Sequence, residues 1–278
     1  TNFIGIILCV AIFGASFLFG ETRSMYFNAA AFALVLSGTV GAAFLGYPSK
    51  RIWAAMSVVR KTYFSKLPSE DDVVNALLDF ALKSKYDGIL SLEDETERSA
   101  TLFLKDGLDM VVDGYSSDEI RDVLSTEMYF FKQRRDQYER VFRGLAKAAP
   151  SFGIIGSVIG LMEMLVGIGD VGVIIKTIPI SLTATLYGIL LSDFFFTPLA
   201  EAIFARTQAE LFLKNLIVNG VIAINDEQDT YKLEKKLCSF LTASVRPVQE
   251  ESFKEIRKQY FVLREQRKRR DVGSTGPR

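Results

Sequence analysis

The chain has 278 residues, 49% of them hydrophobic and 24% charged, with positive mean hydropathy and 33 basic against 33 acidic side chains. That is too charged for a protein wholly inside a bilayer, and with the positive mean hydropathy membrane and aqueous parts are expected. Histidine is absent, which excludes His-based catalytic triads, His metal sites and His proton relays.

Crossing ~30 Å of hydrocarbon takes about 20 apolar residues. Four windows meet that test: Phe3–Gly20, Ala29–Tyr47, Ala148–Ile168 and Val173–Phe196. The expected fold is an all-α membrane protein with four transmembrane helices, a helical cytoplasmic domain between spans two and three, and a helical cytoplasmic tail. The divisions are a transmembrane hairpin at 1–47, a cytoplasmic domain at 48–147, a second transmembrane hairpin at 148–198 and the tail at 199–278. The first window lacks a basic flank and a small-x-small cleavage site, so it is expected to be retained rather than removed as a signal peptide.

Charge placement orients these elements. Of the 33 Lys and Arg, 16 lie between Lys50 and Lys147 and 15 between Arg206 and Arg278, leaving Arg23 and Lys176 near the two short inter-span loops. By the positive-inside bias the middle segment, the tail and both termini are cytoplasmic. Tyr47 and Trp53, beside Lys50 and Arg51, fit either an interfacial anchor or ordinary packed aromatics.

In the middle segment, Ser69 followed by Asp72 predicts a capping box, and the helix after it sets Val73, Val74, Leu77, Leu78 and Ala81 on one face. Gly88 is its expected stop. A second box, Ser116 with Glu119, opens a stretch with no breaker before Gly144, so helix and third span are expected to run together. Leu211–Ile224 is apolar but broken by Lys214, Asn215, Asn219 and Gly220, the pattern of a buried or amphipathic helix rather than a fifth span. Cys9 and Cys238 lie in different environments and have no zinc spacing. The basic run Arg267–Arg270 reads as a solvated tail, with no nucleic-acid partner.

The last two spans carry the chemistry. Pro150, Ile154, Ser157, Leu161 and Met164 share a face of the third, with Gly156 and Gly160 as a small-xxx-small pair on its flank. In the fourth, Ser181, Thr185, Gly188 and Ser192 fall within an arc of roughly 60°. Such hydroxyls bond their own helix or glue helices together, or, aligned as here, line a wet seam or a groove for another helix. Glu163, Lys176 and Asp193 need an account, because a charge at a span's centre costs about 2.5–3.5 kcal/mol. Glu163 and Lys176 lie at similar depth and suit a structural ion pair more than a gate; Asp193 could line a pore mouth or reach water. None of these carboxylates falls at mid-depth on the Ser157 or Thr185 face, and none occurs in the first two windows. If ions pass, the carboxylate that binds them comes from a partner helix.

These motifs resemble the MotA-type subunits of the MotA/TolQ/ExbB channel family. "PSFGIIGSVIGLMEML" is similar to the family's Pro-Ala-Phe-Gly start of the third span, "TLYGILLSDFFFTPLA" to its fourth, and "LSGTVGA" at Leu36–Ala42 to the second. "YDGILSLEDE" and "MVVDGYSSDEIRDVL" are similar to its cytoplasmic signature. The resemblance implies an ion-conducting stator subunit of the bacterial inner membrane and no enzyme, with H+ or Na+ as cargo and no cofactor. It implies five copies around a pair of MotB-type single-span helices bearing the missing aspartate, membrane lipid around them, and a cytoplasmic rotor. By position it assigns Pro150 and Pro198 to the cytoplasmic ends of the pore helices and Ser157 and Thr185 to the ion path. Ser181 and Ser192 extend that path along the stripe. Lys85 and Glu93 match the rotor-facing pair, with Lys where Arg is usual, and Lys lacks the bidentate fork. Glu163 and Asp193 depart from the family's pattern and, with Lys176, stand as charged modulators. Ser157 is neither the Ala of proton-driven members nor the Thr of sodium-driven ones, a slight lean toward sodium. The same resemblance leaves open a non-flagellar motor, and the residues alone leave open a non-conducting scaffold.

Overall fold

The computed structural model describes residues 12, 15, 27–93, 101–167, 169, 171–226, 230–240, 253–254, 258 and 261–262, without the side chains of 176, 230 and 231. Apart from Ile12 and Ala15, the Phe3–Gly20 window lies outside this set, as do Cys9 and the Arg267–Arg270 run. The described residues are helical, with no strand among them. The elements are α1 (Ala29–Gly46), α2 (Ser49–Phe64), α3 (Glu70–Asp87), a 3-10 turn (Ile89–Leu92), α4 (Leu102–Val112) and α5 (Ser117–Val166). They continue with α6 (Val171–Leu190), a π-helical segment (Leu191–Phe196), α7 (Thr197–Asn225) and α8 (Thr230–Cys238). Among the described residues three helical stretches are long and apolar enough to cross a membrane: Ala29–Gly46, Ser117–Val166 and Val171–Asn225.

Two compact units form. The first comprises the residues up to Ser65 with Gln133–Arg206 and is organised inside out. Where α5 meets α6 the contact is made by small residues: Gly153, Gly156, Ala184 and Gly188 are buried, while Ile154, Met162, Leu165, Ile175 and Leu182 are exposed. Water would not tolerate so much contiguous apolar surface, whereas lipid or further helices would. α1 packs on α6 through Ala31, Val35 and Ala184, flanked by Leu34, Phe152 and Tyr187. Its N-terminus is capped by the Asn28 side chain, which accepts from Ala31 N–H at 2.9 Å, while Asn28 N–H donates to the Tyr187 hydroxyl at 2.9 Å. α2 is held by Ala55, with Ile52, Val58 and Val59, against Val141, Phe142, Leu145 and Ile203.

The second unit, Lys66–Lys132 with the described residues from Thr207 on, has the opposite arrangement: a large aliphatic core under a charged surface. Both capping boxes form. Ser69 N–H donates to Asp72 at 3.3 Å and Asp72 N–H to Ser69 Oγ at 3.1 Å; Ser116 N–H donates to Glu119 at 2.9 Å. α3 buries the expected face, Val73, Val74, Leu77, Leu78 and Ala81. It ends at Gly88, whose φ of 89° is disfavoured for any residue with a Cβ. Leu213, Leu216, Ile217, Val221 and Ile224 of α7 are buried in the same cluster with Leu104, Leu108, Ile120 and Leu124, so Leu211–Ile224 is a core helix. α5 is continuous for 50 residues through Pro150, about 75 Å at 1.5 Å per residue.

Candidate functional site

The polar stripe of the fourth window turns toward α5 of the same chain. Ser157 Oγ lies 2.7 Å from Thr185 Oγ1 and also donates to the carbonyl of Ser181. Thr185 Oγ1 lies 3.5 Å from the Gly153 carbonyl. Ser181 Oγ donates 3.1 Å to its own Thr177 carbonyl and abuts Gly160. With the Ser157 hydrogen spent on Ser181, Thr185 donates to Ser157 Oγ, and its own oxygen keeps acceptor lone pairs.

This approach is possible because the contact is made of glycines. A Cβ on Gly188 would sit 2.6 Å from the Ala149 carbonyl and 3.0 Å from Gly153 Cα. Two backbones thereby come close enough for short hydroxyls to bridge them.

One position on the stripe has a role the sequence did not announce. Proline has no N–H, so Pro150 leaves the Ala146 carbonyl, four residues earlier, without its helical donor. Ser192 Oγ supplies one, at 2.8 Å, and Ser192 is buried. Ser192 sits in the π segment, where Thr197 N–H reaches back five residues to the Ser192 carbonyl. The widening precedes Pro198, whose ring would otherwise meet the Phe194 carbonyl of a regular helix. A proline at the second residue of the next element was the available signal; the π geometry itself had none. Thr183, which lies off the stripe's spacing, is buried within α6, and its hydroxyl donates 2.9 Å to the carbonyl of Pro179.

The charged candidates are dispersed. Glu163 is exposed on α5 and Asp193 exposed in the π segment; the Lys176 side chain lies outside the described set, and with it the expected ion pair. Counted along the helix axes, Glu163 is about 9 Å beyond Ser157 and Asp193 about 12 Å beyond Thr185. Lys85 and Glu93 are both exposed in the second unit, on either side of the Gly88 turn. Tyr47 and Trp53 part company: the Tyr47 hydroxyl donates to the Arg140 carbonyl at 2.9 Å, while Trp53 is 71% exposed. Among the described residues no group of three His, Cys, Asp or Glu side chains is placed to hold a metal ion.

The sequence profile of the MotA/TolQ/ExbB proton channel family matches residues 95–215. The Bacillus subtilis (strain 168) protein YtxD is 30% identical over 84% of this chain and 86% of its own. Chemotaxis protein PomA of Vibrio alginolyticus is 28% identical over 83% of this chain and 90% of its own. The solved flagellar MotAB stator complex from Bacillus subtilis superposes with a TM-score of 0.82 at 28% identity, covering 88% of this chain and 97% of that one. On these similarities and the helical arrangement they share, the chain belongs to the MotA/TolQ/ExbB proton channel family.

Proposed function

We propose that the chain is the ion-conducting stator subunit of a rotary motor, working with a MotB-type single-span partner to couple inward flow of H+ or Na+ to rotation. The observation that carries this reading is the Ser157–Thr185 hydroxyl pair, 2.7 Å apart across the α5–α6 contact. It offers oxygen acceptors at a depth where the described residues of these two helices hold no carboxylate. A proton or sodium ion passing there needs a compensating negative charge, and a partner aspartate supplies it. Four membrane spans, the first at Phe3–Gly20, both termini in the cytoplasm and five copies around the partner complete the arrangement. The relatives named motility or chemotaxis proteins support the flagellar rotor as load, with Lys85 and Glu93 of the cytoplasmic unit facing it.

An ion moving down ~100 mV releases roughly 2.3 kcal/mol per charge, a bias on the partner's orientation each time its carboxylate is neutralised and freed. Thr185→Val keeps the side chain's shape and removes the hydroxyl. Motor speed should fall by tenfold or more while the complex with the one-span partner still purifies, and Thr185→Ser should retain speed. Undiminished rotation in the Val variant overturns the reading. Output that follows external sodium rather than pH identifies the ion.

A further inference from the structure

α2 is apolar on two adjacent faces, roughly 110° apart around its axis. Ile52, Ala55 and Val59 attach it to the first unit, whereas Trp53, Met56, Arg60 and Phe64, spaced 3, 4 and 4, share the outer face. Trp53 is 71% and Phe64 82% exposed. Between that face and Phe194 and Phe195 of the π segment runs an open groove of about 620 Å³, the size of a small-molecule site. Ser49–Phe64 holds Lys50, Arg51, Arg60 and Lys61 and no acidic residue. It begins three residues after α1, one of the helices able to cross a membrane, ends.

An acidic protein surface would answer the cations and leave the aromatics wet. A second copy of this helix would bring like charge against like. A phospholipid with a net negative headgroup answers both, because its phosphate is attracted to Arg60 while its hydrocarbon covers the rings. We propose that this groove binds an acyl chain of an anionic phospholipid, with Arg60 at the phosphate. The inference requires that the helices cross a bilayer and is independent of whether they conduct.

Trp53 is the single tryptophan of the chain, so its fluorescence reports the groove. The full chain is reconstituted into phosphatidylcholine vesicles doped with a minor fraction of either brominated phosphatidylglycerol or brominated phosphatidylcholine, with Trp53→Phe as background. The anionic lipid should quench at about fivefold lower fraction than the zwitterionic one, the preference expected from one basic side chain near a membrane surface. Arg60→Gln should erase the preference and Arg60→Lys keep it. Equal quenching by both lipids in the unaltered chain overturns the proposal. So does absence of quenching by either, which would mean that protein covers the groove, and so does a preference that survives Arg60→Gln.

Discussion

Ser192 Oγ lies 2.8 Å from the carbonyl oxygen of Ala146, the acceptor that Pro150 leaves without a helical donor. One element's break is thus completed by a side chain of another, 46 residues away in sequence. Ser192→Ala leaves a partly buried carbonyl without its donor, at a cost of up to about 1–3 kcal/mol. Pro150→Ala restores the backbone N–H and makes Ser192 redundant. Thermal unfolding of the complex should therefore show Ser192→Ala destabilising in the parent chain and near neutral beside Pro150→Ala. Additive effects would show that the two residues are not coupled.

The contact that brings Ser157 to Thr185 has no room for a methyl group at Gly188, where a Cβ would meet the Ala149 carbonyl at 2.6 Å. Gly188→Ala should destabilise by about 1–3 kcal/mol through overpacking despite a gain in helix propensity of up to ~1 kcal/mol. Gly41 of α1 has nothing within 4 Å of its would-be Cβ. Gly41→Ala should be neutral or stabilising, and equal melting-point losses in the two variants would contradict this packing.

Pro198 follows a segment whose backbone hydrogen bonds span five residues rather than the four of a regular helix. Replacing it with Ala returns a donor to the Phe194 carbonyl and lets Leu191–Phe196 relax to α geometry. A one-residue change of register rotates the preceding side chains by about 100°, taking Ser192 off Ala146. Rotation should stop while assembly with the partner continues, measured as motor speed against co-purified yield. Normal speed would show that the π segment is incidental.

The Asp106 carboxyl of α4 is raised above its ordinary value, first by desolvation and then by the nearby Glu127 and Asp109, with Lys105 and Lys214 opposing. The folded state therefore binds this proton more tightly than the unfolded state. Stability falls as pH rises through the interval between the unfolded and the raised folded value. Asp106→Asn should stabilise the second unit at neutral pH, and the advantage should shrink as pH falls through Asp106's folded pKa. Hydrogen exchange at the α4 amides checks both. Lys214, 2.8 Å from Glu127 and with its ammonium 3.6 Å from the Phe103 ring centre, restrains the effect, so Lys214→Met should enlarge the gap between the two chains.

Much of this was present in the linear order of residues. Three of the four apolar windows fall on helices able to cross a bilayer. The Ser69 and Ser116 caps and the α3 face from Val73 to Ala81 follow from interactions within a few residues, which spacing alone specifies. The family motifs likewise sit in short runs. What stayed hidden depends on which helix a side chain meets. Periodicity aligns Ser181, Thr185, Gly188 and Ser192 but cannot say whether the stripe faces lipid, a partner or α5. Tyr47 and Trp53 look alike in sequence, yet one is tied to Arg140 and the other lies open.

Local rules fixed the caps, the spans and the amphipathic faces because their energies arise between neighbours in the chain. Tertiary structure decided the rest: the donor found for Ala146, the π segment before Pro198 and the Ser157–Thr185 pair. The two bonds reach a distant element across a contact where glycines let two backbones come together, and the widening carries the helix past Pro198 while Ser192 meets Ala146.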